Sequence, residues 1–165
     1  MCRTAAFLIV VLSVAGAACD GLTFEDPSLI RISATVDRTS IQPGDTVRVT
    51  ITAENTTRGV VRFQLSSGCL LLYEVRDFDG DVIVPPGGAW LCPAVITDVE
   101  FAPREIVQQQ VVWTGERERP VRNPEGRIVI AHEPVPPGPY EIVAYMGQWK
   151  LVVSRPIVVQ VRDVS

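Results

Sequence analysis

Hydrophobic and polar residues alternate along residues 46–84, and this pattern predicts a series of β-strands. Apolar side chains occupy every second position from Val47 to Ala53, with arginine and threonine residues between them. A period of two is typical of a strand that buries one face and exposes the other to water. Three more strand-like runs follow in the same stretch, at 60–65, 69–76 and 81–84.

Turn residues separate these runs. Residues 55–59, Asn-Thr-Thr-Arg-Gly, end in a glycine that tolerates positive φ, and they predict a hairpin between the first two runs. Ser-Ser-Gly at 66–68 predicts a second reversal. The Asp-Gly pair within 77–80 predicts a third, because tight hairpins favour Asp-Gly.

The remaining chain adds further strands and no long amphipathic helix. The strands are predicted at 29–37, 95–101, 106–114, 128–131, 140–145, 151–153 and 157–161. Many short strands separated by turns that are rich in glycine and proline are typical of sandwiches and barrels. The predicted fold class is all-β, an immunoglobulin-like antiparallel β-sandwich formed by residues 29–165 as one domain.

The composition fits a single globular domain. The 165 residues are 47% hydrophobic and 21% charged, and the formal net charge is -4. Nucleic-acid binding depends on lysine and arginine side chains that neutralise phosphates. We therefore do not expect a nucleic acid among the partners of this acidic chain.

An export signal is predicted at residues 1–18. A basic residue precedes an apolar run at 5–14, which is too short to cross a bilayer as a permanent helix. Residues 16–19, Gly-Ala-Ala-Cys, resemble a bacterial lipobox, in which Cys19 becomes the lipidated first residue of the mature chain. The leading glycine departs from the usual leucine, so ordinary cleavage near the same place and an uncleaved segment remain as alternatives.

Lipidation of Cys19 would anchor an exported protein in a membrane of the cell envelope, because each buried methylene of an acyl chain adds to the membrane affinity. Residues 19–28 would then be a tether between the anchor and the folded domain. Without lipidation, the protein would be secreted or periplasmic.

Cys69 and Cys92 are the two cysteines left for the folded domain. An exported domain folds in an oxidising compartment, where a disulfide persists. We predict a disulfide between them that ties the third strand-like run to the loop that follows. Two buried free thiols are the alternative, and a metal pair is disfavoured because no third or fourth ligand lies at a suitable spacing.

The candidate binding loop is 85–93, PPGGAWLCP. It contains Pro86, Trp90 and Leu91, and apolar side chains are unusual in a segment that only connects two strands. One interpretation is a contact surface for a protein partner; in the other, Trp90 and Leu91 cap the open end of the sandwich. The most polar stretch, 115–127, is predicted to be an exposed loop, either solvated surface or a second partner site.

Residues suited to catalysis are few, and we predict no enzyme, no metal and no cofactor. His132 is the single histidine, so a histidine-rich metal site is excluded, and we expect this residue in a loop or at an edge. The alternate aspartates of 77–81 lack the helix-flanked frame and the final glutamate of a calcium loop, so a turn explains them better. Trp113 and Trp149 are expected to pack in the core or at an edge.

A series of short motifs follows one order along the chain. A strand ending in Asn-Thr, an apolar-x-Phe strand, Ser-Ser-Gly, Tyr-x-apolar-x-Asp and Asp-Gly lie at 52–56, 60–63, 66–68, 73–77 and 79–80. Later segments that also fit lie at 102–103, before a strand that reaches Trp113, and at 137–140 and 154–156. This order resembles the intracellular proteinase inhibitor family known as BsuPI, over about residues 29–161.

The resemblance implies an immunoglobulin-like sandwich that inhibits a protease, so a protease is the expected kind of protein partner. Tyr140 suits the tyrosine that holds a corner in many such sandwiches. Two features differ from the family: this chain has an export signal, and Arg104 replaces the usual glycine of a Pro-Gly-Glu turn. No reactive-site residue is carried over, and the alternative function is a non-inhibitory envelope scaffold or a ligand-binding immunoglobulin-like module.

Overall fold

The computed structural model describes residues 26–163, so the predicted signal peptide, Cys19 and most of the predicted tether lie outside the described residues. Within this range the strands are β1 Ile30–Val36, β2 Ser40–Ile41, β3 Val47–Asn55, β4 Val61–Leu65, β5 Leu71–Arg76, β6 Val82–Val84, β7 Thr97–Phe101, β8 Ile106–Trp113, β9 Glu116–Arg122, β10 Ile128–Pro134, β11 Gly138–Met146, β12 Val152–Val153 and β13 Ile157–Val161. Two 3₁₀ turns, Pro27–Leu29 and Pro86–Gly88, complete the elements. Residues 26–163 contain no helix with the length and apolar character of a membrane span.

The first sheet is antiparallel and has the order β1-β3-β8. The alternation predicted for β3 is confirmed, because every second side chain from Val47 to Ala53 is fully buried. β8 pairs along β3 with Trp113 opposite Val47 and Ile106 opposite Glu54. The buried face of this sheet forms one wall of the core.

The second sheet has the order β2-β13-β11-β5-β6, and β12 pairs with the end of β11. β11 pairs antiparallel with both β5 and β13, whereas β2 joins β13 in parallel. The hairpin predicted at 77–80 is confirmed, since β5 and β6 are antiparallel neighbours. Asp77 shapes its turn: Oδ1 accepts hydrogen bonds from the backbone N–H groups of Asp79 and Asp81, at 3.2 and 3.0 Å.

The two sheets pack face to face around one apolar core. Trp113 of β8 and Tyr140 of β11 meet across it, with 5.4 Å between their ring centroids. The Tyr140 hydroxyl donates to the carbonyl of Pro136 at 2.9 Å, which is the corner geometry expected of this tyrosine. The predicted fold class, an all-β immunoglobulin-like antiparallel sandwich, is therefore confirmed, as is the packing role of Trp113.

The hairpin predicted at 55–59 is wrong, because β3 belongs to the first sheet and β4 instead pairs antiparallel with β7. Asn55 provides the physical reason. Its side chain is fully buried, and Nδ2 donates to the carbonyls of Gly59 and Ala102, each at 2.8 Å. The segment is thereby held against the β7–β8 turn and leads away from β3. The reversal at 66–68 likewise leads from the β4–β7 ribbon into the second sheet.

The exposed loop predicted at 115–127 is also wrong, because most of this stretch is β9, paired antiparallel with β10. We call Glu116–Pro134 the arm. Both of its faces are largely exposed, so charged residues occur at successive positions and hide the period of a strand. Cross-strand charge pairs stabilise such ribbons, and here Arg119 lies 3.5 Å from Glu133. An ion pair of 2.9 Å between Arg117 and Asp77 fixes the base of the arm to the sandwich.

Candidate protein-binding site

A disulfide fixes the candidate loop to the second sheet. Cys92 is bonded to Cys69, two residues before β5, with a Cα–Cα distance of 5.7 Å. The predicted pairing is confirmed, and the free-thiol alternative is wrong. The bond places the loop over the end of the sandwich at which β4 ends and β5 begins.

Trp90 attaches the loop at a second point. Its ring lies 5.3 Å from the Tyr73 ring, centroid to centroid, and its Nε1 donates to the Tyr73 carbonyl at 2.6 Å. Trp90 is half-buried and packs against the edge of the core. The capping interpretation is therefore confirmed for Trp90.

Leu91, unlike Trp90, does not pack against the core. Its side chain is fully exposed, at 101% of the reference area, although both of its neighbours in sequence are fixed. Pro93 continues the attachment, because its carbonyl accepts hydrogen bonds from the backbone N–H groups of Gly68, at 3.0 Å, and Val95, at 2.9 Å. The capping interpretation is wrong for Leu91, which projects from a loop that is held on both sides.

More apolar side chains lie exposed around the segment 66–68. Val95 and Ile96 follow in the loop, at 50% and 71% exposure. Trp149 is 75% exposed, and its Nε1 donates to Ser66 Oγ at 2.9 Å, while Leu151 shares a pocket of about 200 Å³ with it. We call the five exposed side chains the apolar end patch: Leu91, Val95, Ile96, Trp149 and Leu151.

A buried ion cluster supports the turn that carries Trp149. Glu74 is fully buried, and its carboxylate pairs with Arg76 and with Lys150, whose Nζ lies 2.5 Å from Oε2. The Gly147 N–H donates to the Leu70 carbonyl at 2.9 Å. These contacts fix both ends of the 147–150 turn, so Trp149 is held in its exposed position.

The loop part of the site is uncharged, and Lys150, between Trp149 and Leu151, is paired with the buried Glu74 carboxylate. Residues 85–96 contain no charged side chain, in a chain that is 21% charged. Burial, with a smaller contribution from the charge of Glu118, raises the pKa of Tyr73 to about 12. Burial and then the Glu74 carboxylate raise the pKa of Tyr145 to about 12. Both phenols are neutral at physiological pH, so neither adds charge to the patch.

The three residues predicted for the binding loop lie in different surroundings. Leu91 belongs to the apolar end patch, and Trp90 anchors the loop from below. Pro86 is half-buried in the Pro86–Gly88 turn, which packs between β6 and β9. The structure therefore places Pro86 beside the arm and leaves Leu91 exposed.

The packing in the core or at an edge that was predicted for Trp149 is wrong, because its side chain is exposed. A tryptophan directly after Gly-Gln, two small or polar residues that favour a turn, was a weak indication of this exposure. Val95 and Ile96 precede β7 and carried no such indication.

Other candidate residues show no catalytic arrangement. His132 lies on the exposed strand β10 with Nδ1 3.5 Å from a Glu116 carboxylate oxygen, which fits the edge position expected for it. Asp77 is engaged by its own turn and by Arg117. Within residues 26–163, no three His, Cys, Asp or Glu side chains are grouped so that they could hold a metal ion.

Comparison with known proteins gives only distant structural likenesses. No protein-family model and no curated protein sequence matches the chain. Part of a β-glucosidase from Erythrobacter marinus is similar over 81% of this chain, at 15% identity and a TM-score of 0.45. This chain spans only 15% of that enzyme's length.

Two further solved structures show the same low level of likeness. An alkylpurine DNA glycosylase from Pseudomonas fluorescens is similar over 79% of this chain and 30% of its own, at 12% identity and a TM-score of 0.40. A PapD-like domain of human CEP192 aligns over 100% of this chain and 97% of its own, at 16% identity and a TM-score of 0.26. Likenesses at this level carry no inference about function.

Proposed function

We propose that this chain is a proteinase-inhibitor-like, protein-binding domain of the BsuPI type, exported and held in the cell envelope by a lipid anchor at Cys19. The observation that carries the proposal is the apolar end patch, in which Leu91 is fully exposed between two fixed neighbours. The order of motifs that resembles the family supports the same proposal.

The patch has the physical properties of a binding surface. Exposed apolar side chains that cluster on a folded domain mark sites of protein contact more often than scattered ones do. The loop is already ordered by the disulfide, by Trp90 and by the backbone bonds of Pro93. Binding would therefore cost little conformational entropy, which is the advantage of a preorganised surface.

The proposed anchor supports a role at the membrane surface. The lipobox-like residues 16–19 would leave Cys19 as the lipidated first residue, and the tether 19–28 would separate the sandwich from the bilayer. The disulfide between Cys69 and Cys92 is consistent with an oxidising compartment. An envelope inhibitor would protect against proteases that reach the cell surface or the periplasm.

Inhibition assays with the purified full chain test the proposal. We expect saturable inhibition of at least one protease in a panel that includes subtilisin, chymotrypsin, trypsin and papain. A patch variant with Leu91→Ser, Val95→Ser and Ile96→Ser should lose this inhibition while its unfolding transition stays close to that of the wild-type chain, because all three side chains are exposed.

A matched variant controls for the loss of exposed apolar surface elsewhere. Phe78→Ser, Ile106→Ser and Val112→Ser also remove three exposed apolar side chains, but from outside the patch, and this variant should inhibit like the wild-type chain. Equal losses in both variants, or a folded wild-type chain that inhibits no protease, would refute the proposal.

The arm favours a second candidate function, a non-inhibitory envelope scaffold. Ile128 and Ile130 on β10 are exposed at 69% and 43%, on a ribbon whose two faces are open to solvent. An extended ribbon of this kind can present both side chains and a strand edge to a partner. If scaffolding is the function, Ile128→Ser with Ile130→Ser should release an envelope complex that the patch variant retains.

A further inference from the structure

We infer that Leu91 is the residue that enters the primary specificity pocket of the target protease, and that this pocket is apolar. This inference rests on the proposed function and adds the specificity residue and the chemistry of the pocket to it. Among residues 26–163, Leu91 combines complete side-chain exposure with attachment of both sequence neighbours.

The geometry of the loop presents Leu91 outward. Gly87 and Gly88 both have positive φ and turn the chain, after which Ala89 is extended, at φ -143° and ψ 133°. Trp90 then fixes the backbone before Leu91, and the disulfide of Cys92 fixes it after Leu91. The backbone at this position is thus restrained, while no protein atom covers the side chain.

Attachment on both sides suits an inhibitor better than a substrate. A protease that accepts a flexible loop can cut it and release both ends. Here the segment before Leu91 is held through Trp90 and Tyr73, and the segment after it is held through Cys92 and the Pro93–Gly68 hydrogen bond. A restrained loop binds with a small entropic cost and keeps its shape in the protease cleft.

The chemistry of the side chain selects the pocket. Leucine offers only carbon atoms, and its surroundings at 85–96 carry no charge. A trypsin-like pocket contains a carboxylate that leucine would leave unpaired, whereas a chymotrypsin-like pocket is a hydrophobic slot. Ile96 and Val95 are branched at Cβ and lie farther from the two anchors, so they suit flanking contacts.

Exchange of one side chain tests the inference. In the full chain, we expect Leu91→Arg to weaken inhibition of the chymotrypsin- or subtilisin-like protease by about 100-fold, and to create inhibition of trypsin that the wild-type chain lacks. Because Leu91 is fully exposed, the melting temperature should not change. Ile106→Arg introduces the same charge at an exposed apolar residue outside the patch and should change inhibition by less than about 5-fold.

The outcomes separate this inference from the function on which it rests. If the wild-type chain inhibits an apolar-pocket protease and Leu91→Arg inhibits it equally well, the specificity assignment is overturned and the proposed function stands. Loss of inhibition without any gain against trypsin would also overturn the pocket assignment, and would leave Leu91 as a contact residue. A folded wild-type chain that inhibits no protease would remove both.

Discussion

At the scale of single residues, Asn55 decides how the chain passes from one sheet to the β4–β7 ribbon. Its side chain satisfies carbonyls on two segments, and Oδ1 accepts from the Thr57 N–H at 2.9 Å. A buried polar group that loses its partner costs about 1–3 kcal/mol. Asn55→Ala would leave several such groups unsatisfied.

We therefore expect Asn55→Ala to lower the free energy of unfolding by about 3 kcal/mol, measured by urea denaturation. Gln110→Ala removes an amide of similar polarity from the exposed outer face of β8 and serves as the control. Equal stability of the two variants would show that the Asn55 hydrogen bonds do not determine the crossing.

The three tyrosines make a pH prediction at the same scale. Burial is the main cause that raises the pKa of Tyr73, Tyr140 and Tyr145, to about 12 for Tyr73 and Tyr145. Unfolded tyrosines lose their protons near pH 10. Above that pH the folded state binds more protons than the unfolded state, so its stability falls as the pH rises from about 10 to 12.

Absorbance at 295 nm, recorded rapidly after a pH jump, measures this effect. We expect the native chain to show little tyrosinate at pH 10.5, whereas the chain in denaturant shows most of it. Tyr145→Phe should reduce the pH dependence of the unfolding free energy by the contribution of one tyrosine. A native titration that coincides with the denatured one would show that these phenols are not protected.

At the scale of elements, the disulfide joins the candidate loop to β5. Cys69 and Cys92 are 23 positions apart, and the chain-entropy relation gives about 3 kcal/mol for closing a loop of this length. The Cys69→Ala, Cys92→Ala variant should be less stable by about that amount and should also inhibit more weakly, because Leu91 loses one of its two anchors. Unchanged inhibition by this variant would show that the disulfide does not preorganise the loop.

The tip of the arm, residues 120–130, is expected to be dispensable for folding. It contributes exposed side chains and pairs only within the arm. Replacement of residues 120–130 by Asn-Gly would connect the paired residues Arg119 and Ala131 through a tight hairpin. We expect a change in unfolding free energy below about 1 kcal/mol and full inhibition. A loss of several kcal/mol would show that the tip supports the sandwich.

The elements also show how far the sequence allows prediction. A period of two identified β3, and the Asp-Gly turn identified the β5–β6 hairpin, because both depend on neighbouring residues. β9 was missed because a ribbon exposed on both faces has no hydrophobic alternation. The apolar end patch was only partly predicted, since Pro93 and Trp149 are attached to the segment 66–68 by long-range hydrogen bonds that no local pattern encodes.

At the scale of the whole molecule, the sandwich acts as a rigid support with one apolar end. One core joins both sheets, so the loop, the 147–150 turn and the segment 66–68 are carried by strands that cannot move independently. Residues 85–96 are uncharged in a chain that is 21% charged. A partner is therefore expected to recognise this end through shape and apolar contact more than through charge.

The most direct test of this account is a stoichiometric titration of an inhibited protease with the purified full chain, followed by mass analysis of the complex. The account predicts that residual activity falls to zero at one chain per protease, and that the loop between Trp90 and Cys92 remains attached on both sides. A folded chain that leaves every protease of the panel active, or that is degraded as a substrate, would contradict it.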